Sequence, residues 1–187
     1  MSQLFDYFKQ FSSLADEAKK ALEWITKVVQ IQKNKDLQPI GHTSKTIYFI
    51  NKEIDRINYY KDNIDITDSF AIENNIIARV ESLFTGEPSR KGIQVLEDAE
   101  IIAIDANKLF KLYDTYPEIE RLFRKIFKAS HVETVNSIEG IQFHTAEDGY
   151  KALLHEASTI IQRVPLKYIA SYLGITQVSL SRIRGQR

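Results

Sequence analysis

Residues Pro165 to Arg187 read PLKYIASYLGITQVSLSRIRGQR. Their spacing is that of two short helices meeting at one glycine. Leu166, Ile169, Ala170 and Leu173 recur at helical intervals and build one apolar face. Gly174 ends that pattern, as a left-handed residue just past a helix does. Ile175 gives an inward turn position, and Thr176 is a good N-cap for the next helix. That helix is expected from Gln177 to about Arg184, with Val178 or Leu180 and Ile183 as candidate inward residues. Ala170 is small enough for a second helix to cross close to it. Together these placements make a helix-turn-helix pattern, whose second helix enters the DNA major groove by its N-terminal residues. The outward residues Gln177, Ser179, Ser181, Arg182 and Arg184 are all hydrogen-bond formers.

The charge distribution points the same way. The chain has 187 residues, 25 of them basic and 25 acidic, for a net charge of zero. From Ala157 onward there are five basic residues (Arg163, Lys167, Arg182, Arg184, Arg187) and no acidic ones, which leaves 20 basic and 25 acidic before that point. A mildly acidic body thus carries a basic tail, the electrostatic footprint of a nucleic-acid partner. The length fits one large domain or two small ones. The absence of cysteine excludes disulfides, thiolate-bound zinc and iron–sulfur clusters. No apolar run approaches the roughly 20 residues that cross a bilayer. The start, MSQLFDYFKQ, lacks signal-peptide organisation. A cytoplasmic protein without a membrane partner is expected. No nucleophile–base set, metal-ligand cluster or phosphate loop is visible, so no catalytic or metal residues are assigned and an enzyme is not expected. Glu97-Asp98 reads as a solvated turn.

Working back to the start, the first 34 residues read as helical. Leu4, Phe5, Phe8 and Phe11 form one stripe. Ser13 and Asp16 look like the start of a second helix, continued by Ala18, Ala21, Leu22, Ile25, Val28 and Val29. From about Ile40 the period changes. Thr46–Ile50, Arg56–Tyr60, Ile64–Phe70, Ile93–Leu96 and Glu100–Ile104 are rich in β-branched and aromatic residues, with a turn signal at Lys61-Asp62-Asn63. Several short strands of this kind suggest a small barrel or roll. Between them, Ile76, Ile77, Val80, Leu83 and Phe84 read as a short helix ending at Thr85 to Arg90. Asp105 caps a helix. Pro117 opens the longest one, whose face of Ile119, Leu122, Phe123, Ile126, Phe127, Val132 and Val135 could pack on the roll or on a second copy. A hinge is expected near Glu139-Gly140, and Thr145 starts the helix that leads into the final pair. The division is 1–115 for N-terminal helices and roll, 116–140 for the long helix and hinge, and 141–187 for the helix-turn-helix domain.

This order resembles the Crp/Fnr superfamily of bacterial transcription regulators over nearly the whole chain. The residues that carry the resemblance are Tyr48-Phe49-Ile50 with Arg56, the segment Phe70 to Asn74, Gly86-Glu87-Pro88-Ser89, the strand pair IQVLEDAEIIAI, and RVPLKYIASYLGITQVSLSRIR. The last block is similar to members from Bacteroidetes-type bacteria. The resemblance implies an α+β fold: N-terminal helices and a cyclic nucleotide-binding-like β-roll, a long dimerisation helix, and a winged-helix-like helix-turn-helix domain. It implies a homodimer on double-stranded DNA. The family's base-reading positions fall on Gln177, Val178, Ser181 and Arg182, with Val178 where a polar residue is common. Thr176, Lys167 and Arg163 suit phosphates, and Ser179 and Arg184 complete the DNA-binding set.

In the family's effector pocket, a glycine–glutamate pair holds a ribose and an arginine pairs with a cyclic phosphate. Here Glu73 is the candidate ribose partner, but Ala71-Ile72 precede it. Ser89 stands in the arginine's place, and Arg90, one residue on, points the other way on an extended chain. Cyclic AMP is expected to bind weakly or not at all. No cofactor is assigned, and another small-molecule effector, or none, is expected. A haem would require His42, His131, His144 or His155. The competing reading is a small-molecule- or protein-binding module on the same fold, with vestigial DNA contact. A zero net charge favours it.

Overall fold

The computed structural model describes residues 1–143 and 145–185; His144 and Arg187 lie outside them. Two helices, α1 (Ser2–Lys9) and α2 (Asp16–Trp24), precede the strands β1 (Thr26–Ile31), β2 (Asp36–Gln38), β3 (Thr46–Ile50), β4 (Asp55–Lys61), β5 (Ile64–Ala71) and β6 (Asn75–Ile77). A short α3 (Val80–Thr85) separates these from β7 (Gly92–Val95) and β8 (Ala99–Asp105). The helices α4 (Ala106–Thr115), α5 (Pro117–Phe143), α6 (Ala146–Glu156), α7 (Ser158–Arg163), α8 (Leu166–Tyr172) and α9 (Gln177–Gly185) complete the described chain.

The strands form two antiparallel sheets, ordered β1-β8-β3-β6 and β2-β7-β4-β5. Period-two alternation sets the layers. Ile47, Phe49, Ile102 and Ile104 face a helical layer with Leu4, Phe8, Leu22, Leu109, Leu122 and Phe123. Their neighbours Tyr48, Ile50, Ile101 and Ala103 face the space between the sheets, where they meet Ile93 and Val95. The second sheet presents its far side to the C-terminal helices. There Ile54 and Leu96 join Tyr150, Leu153, Ile160, Ile169, Ala170 and Leu180 in one apolar cluster.

Local chemistry explains the junctions. Asp62 and Asn63 both have positive φ, 52° and 62°, which gives the two-residue turn that matches strand twist between β4 and β5. Asp105 accepts the Lys108 amide at 3.0 Å and caps α4. Thr145 caps α6 in a reciprocal capping box with Asp148. Pro117 opens α5, a helix of 27 residues.

Four expectations are corrected. The second helix stops at Trp24; Val28 and Val29 lie instead in β1, paired with Ile102 and Ile101. Its N-cap is Ala15, with no side-chain cap bond, so Ser13 does not start it. Ile76 and Ile77 lie in β6, paired with Phe49 and Tyr48, and the helix begins only at Val80. Cross-strand pairing with chain far away in sequence decides both segments, against their local period. Finally, α5 runs through Gly140 to Phe143, so no break occurs at Glu139-Gly140.

Candidate nucleic-acid interface

The turn between α8 and α9 has the hydrogen bonds its sequence calls for. Gly174 has φ 68°. Its amide donates to the Ser171 carbonyl at 3.1 Å, and the Ile175 amide donates to the Ala170 carbonyl at 2.9 Å. This is the Schellman pair, which needs the left-handed residue. Thr176 Oγ1 then accepts the Ser179 amide at 3.1 Å, as an N-cap does. Ser179 Oγ lies 3.0 Å from the same hydroxyl. Ser179 is half-buried and engaged in the cap.

Residues on α9 advance about 100° each around the axis. Leu180 is buried and Ile183 packs partly against the C-terminal core. Gln177, Val178, Ser181 and Arg182 fall on the side away from them, Arg184 lies at its edge next to Leu180, and all five are exposed. Thr176, at the start of α9, and Lys167, on α8, are exposed as well. Seven of the eight sequence-predicted DNA residues are therefore at the surface, six of them on or capping α9 and Lys167 on α8, while Ser179 is half-buried.

The helix pair is mounted on the roll by polar and aromatic contacts. The Thr67 amide in β5 donates to Ser171 Oγ at 2.9 Å, and the rings of Phe70 and Tyr172 lie 5.4 Å apart. Arg56 is almost wholly buried, and its guanidinium sits 3.8 Å from the Tyr168 ring centroid. It donates to Asp65 Oδ1 and Thr67 Oγ1, each at 3.0 Å, and to Gln94 Oε1 at 2.9 Å. Lys167 Nζ lies 4.6 Å from the same tyrosine ring.

Arg163, expected near phosphates, instead faces the roll. Its Nη1 donates to Glu73 at 2.8 Å, its Nε to Glu97 at 2.9 Å, and its Nη2 to the Lys52 carbonyl at 2.7 Å. Hydrogen bonding to Glu97, aided by Glu73, raises the Arg163 pKa further above its ordinary value. Its charge is neutralised inside the protein. Sequence reasoning missed this clamp and the Arg56 network. The only available signal was a charged residue amid the aromatic run of β4, with Asp65 across the hairpin.

Two of the three candidate effector residues are held by different protein partners, and the third is exposed. Glu73 is held by Arg163. Ser89 is buried, accepting from Arg79 Nε at 3.2 Å and donating to Glu81 at 2.9 Å. Arg90 is exposed. Near the clamp, Asp55 is fully buried with neither carboxylate oxygen partnered. Burial pushes its pKa up to about 8, with Glu53 and Glu97 adding to the rise. No group of three or more His, Asp or Glu side chains among the described residues could hold a metal ion. Nor is any described helix long and apolar enough to cross a membrane.

No family model matches the chain, and no curated protein matches it by sequence. Solved structures do match its fold. A putative Crp/Fnr-family transcriptional regulator from Eubacterium rectale superimposes with a TM-score of 0.76 at 13% identity, covering 97% of this chain and 87% of that one. The c-di-GMP-responsive global regulator CLP of Xanthomonas campestris gives 0.73 at 14% identity, covering 92% and 91%. FixK2 from Bradyrhizobium japonicum gives 0.72 at 13% identity, covering 87% and 84%. The chain thus has the fold of the Crp/Fnr-type regulators: a cyclic nucleotide-binding-type roll, a long helix and a helical C-terminal domain.

Proposed function

We propose that this protein is a sequence-specific DNA-binding transcription regulator of the Crp/Fnr type, acting in the cytoplasm as a homodimer. The observation that carries this reading is the exposed side of α9. Gln177, Ser181 and Arg182 are exposed there, Gln177 at the capped start of the helix and Ser181 and Arg182 one turn on along the same side. Such groups match the donors and acceptors of base edges, and a helix of this size fits the major groove. Lys167 and Arg184 supply positive charge for phosphates, which fix register without reading sequence.

The dimer is supported by α5. Val132, Val135 and Ile138 are exposed at intervals of three along one side of it. Paired with a second copy, this stripe would be covered, and two recognition helices would lie about one DNA turn, ~34 Å, apart. The effector pocket is altered: Glu73 and Ser89 already have protein partners, and no arginine occupies the Ser89 position. We therefore propose that cyclic AMP is not the ligand.

Fluorescence anisotropy on a labelled duplex, titrated at rising salt, tests the reading. Log affinity should fall linearly with log salt, with a slope of about −0.9 per phosphate neutralised. A signal that is absent at low salt, or that does not change with salt, would reject DNA binding.

A further inference from the structure

We infer that Val178 reads a thymine: its isopropyl group packs on the C5-methyl of one T·A pair in the major groove. This rests on the DNA-reading function proposed above and adds a base preference to it.

Val178 is 62% exposed, although it is a β-branched apolar residue in the first turn of a helix. The core does not use it. Leu180 and Ile183 take the inward positions of α9, and Val178 is absent from the apolar cluster they join. Nor does the helix cap use it, since Thr176 and Ser179 close that end. At about 100° per residue, Val178 falls between Ser181 and Arg182 on the outward side. It is therefore an apolar group set inside a polar reading surface.

Valine has no hydrogen-bond donor or acceptor. On the major-groove edge, guanine, cytosine and adenine offer only donors and acceptors, and thymine alone adds a methyl group. A cytosine or adenine amino group facing Val178 would lose water and gain no partner, which is unfavourable. A methyl group would gain a dry contact. Valine in a helix also holds essentially one rotamer, so little side-chain freedom is lost on contact. The same position therefore attracts thymine and rejects the other three bases.

The test uses the full chain and the duplex recovered from a random pool by in-vitro selection. Each thymine in turn is replaced by deoxyuridine, which removes only the methyl group. For the wild type, one replacement per half-site should weaken binding about fourfold, from one methyl's worth of apolar burial. Val178→Ser should bind the thymine and uracil duplexes equally, with an unchanged melting temperature because the site is exposed. Placing 5-methylcytosine there should bind tighter than cytosine for the wild type only. If no thymine is sensitive, or if Val178→Ser keeps the full uracil penalty, the inference fails while DNA binding stands. If no duplex is enriched at all, both fail.

Discussion

At the scale of single residues, the most unusual group is the Asp55 carboxyl. It is fully buried and unpartnered, and burial raises its pKa to about 8. In the unfolded chain an aspartate titrates near ~3.9. Between these values the folded state holds a proton that the unfolded state has released. This group's contribution to stability is therefore full below about pH 4 and is lost as pH rises toward 8. The slope from this group is at most ~1.4 kcal/mol per pH unit. Glu53, also raised by burial, adds in the same direction. Asp55→Asn should flatten the pH dependence of urea unfolding between pH 5 and 8 and raise stability at pH 8. An unchanged pH profile in that variant would show that Asp55 is solvated or paired in solution.

At the scale of elements, the proposed assembly rests on α5. Its first half is buried through Ile119, Leu122, Phe123 and Ile126, while its second half exposes Val132, Val135 and Ile138. A Val135→Glu, Ile138→Glu double variant should shift the sedimentation mass from twice 21.6 kDa to 21.6 kDa. A wild type that is already monomeric at high concentration would remove this role from α5. The elements also mark what was legible in the sequence. The helix-turn-helix could be read because its signals are local: Ala170, Gly174 and Thr176 each answer a backbone need within a few residues. The β4–β5 hairpin was legible for the same reason, through Asp62-Asn63. β1 and β6 were not, because Val28-Val29 and Ile76-Ile77 are defined by partners on β8 and β3, far away in the chain. Gln177, Ser181 and Arg182 were named as outward from the sequence and are exposed, whereas Val178, which the spacing left open as an inward residue, is exposed too. The partners of Glu73 and Arg163 could not be named from it, since a salt bridge across 90 residues leaves no periodic trace.

At the scale of the whole molecule, the acidic roll and the basic C-terminal domain meet through Arg163. This cation joins Glu73, Glu97 and the Lys52 carbonyl, and so ties α7 to the roll. The side chains of Arg163, Glu73 and Glu97 keep 28%, 31% and 27% exposure, so water screens the pairs in part. Arg163→Ala should lower unfolding stability by about 1–2 kcal/mol, less than the loss from breaking a fully buried pair. It should also open the α7–α8 connection to protease. Wild-type stability and wild-type cleavage kinetics in that variant would mean that the two parts are held by the other contacts between them, Arg56–Tyr168, Phe70–Tyr172, Thr67–Ser171 and the Ile54–Leu96 apolar cluster, without help from Arg163.

If α9 reads base pairs as proposed, Arg182 is its sharpest handle, because a bidentate arginine on guanine contributes ~1–3 kcal/mol of base discrimination. Selection of bound duplexes from a random pool, run in parallel for the wild type and Arg182→Ala, measures this directly. The wild type should yield a palindromic consensus, and the variant the same consensus with one base-pair preference relaxed in each half. A pool that shows no enrichment, or a consensus identical in both proteins, would contradict base reading by α9.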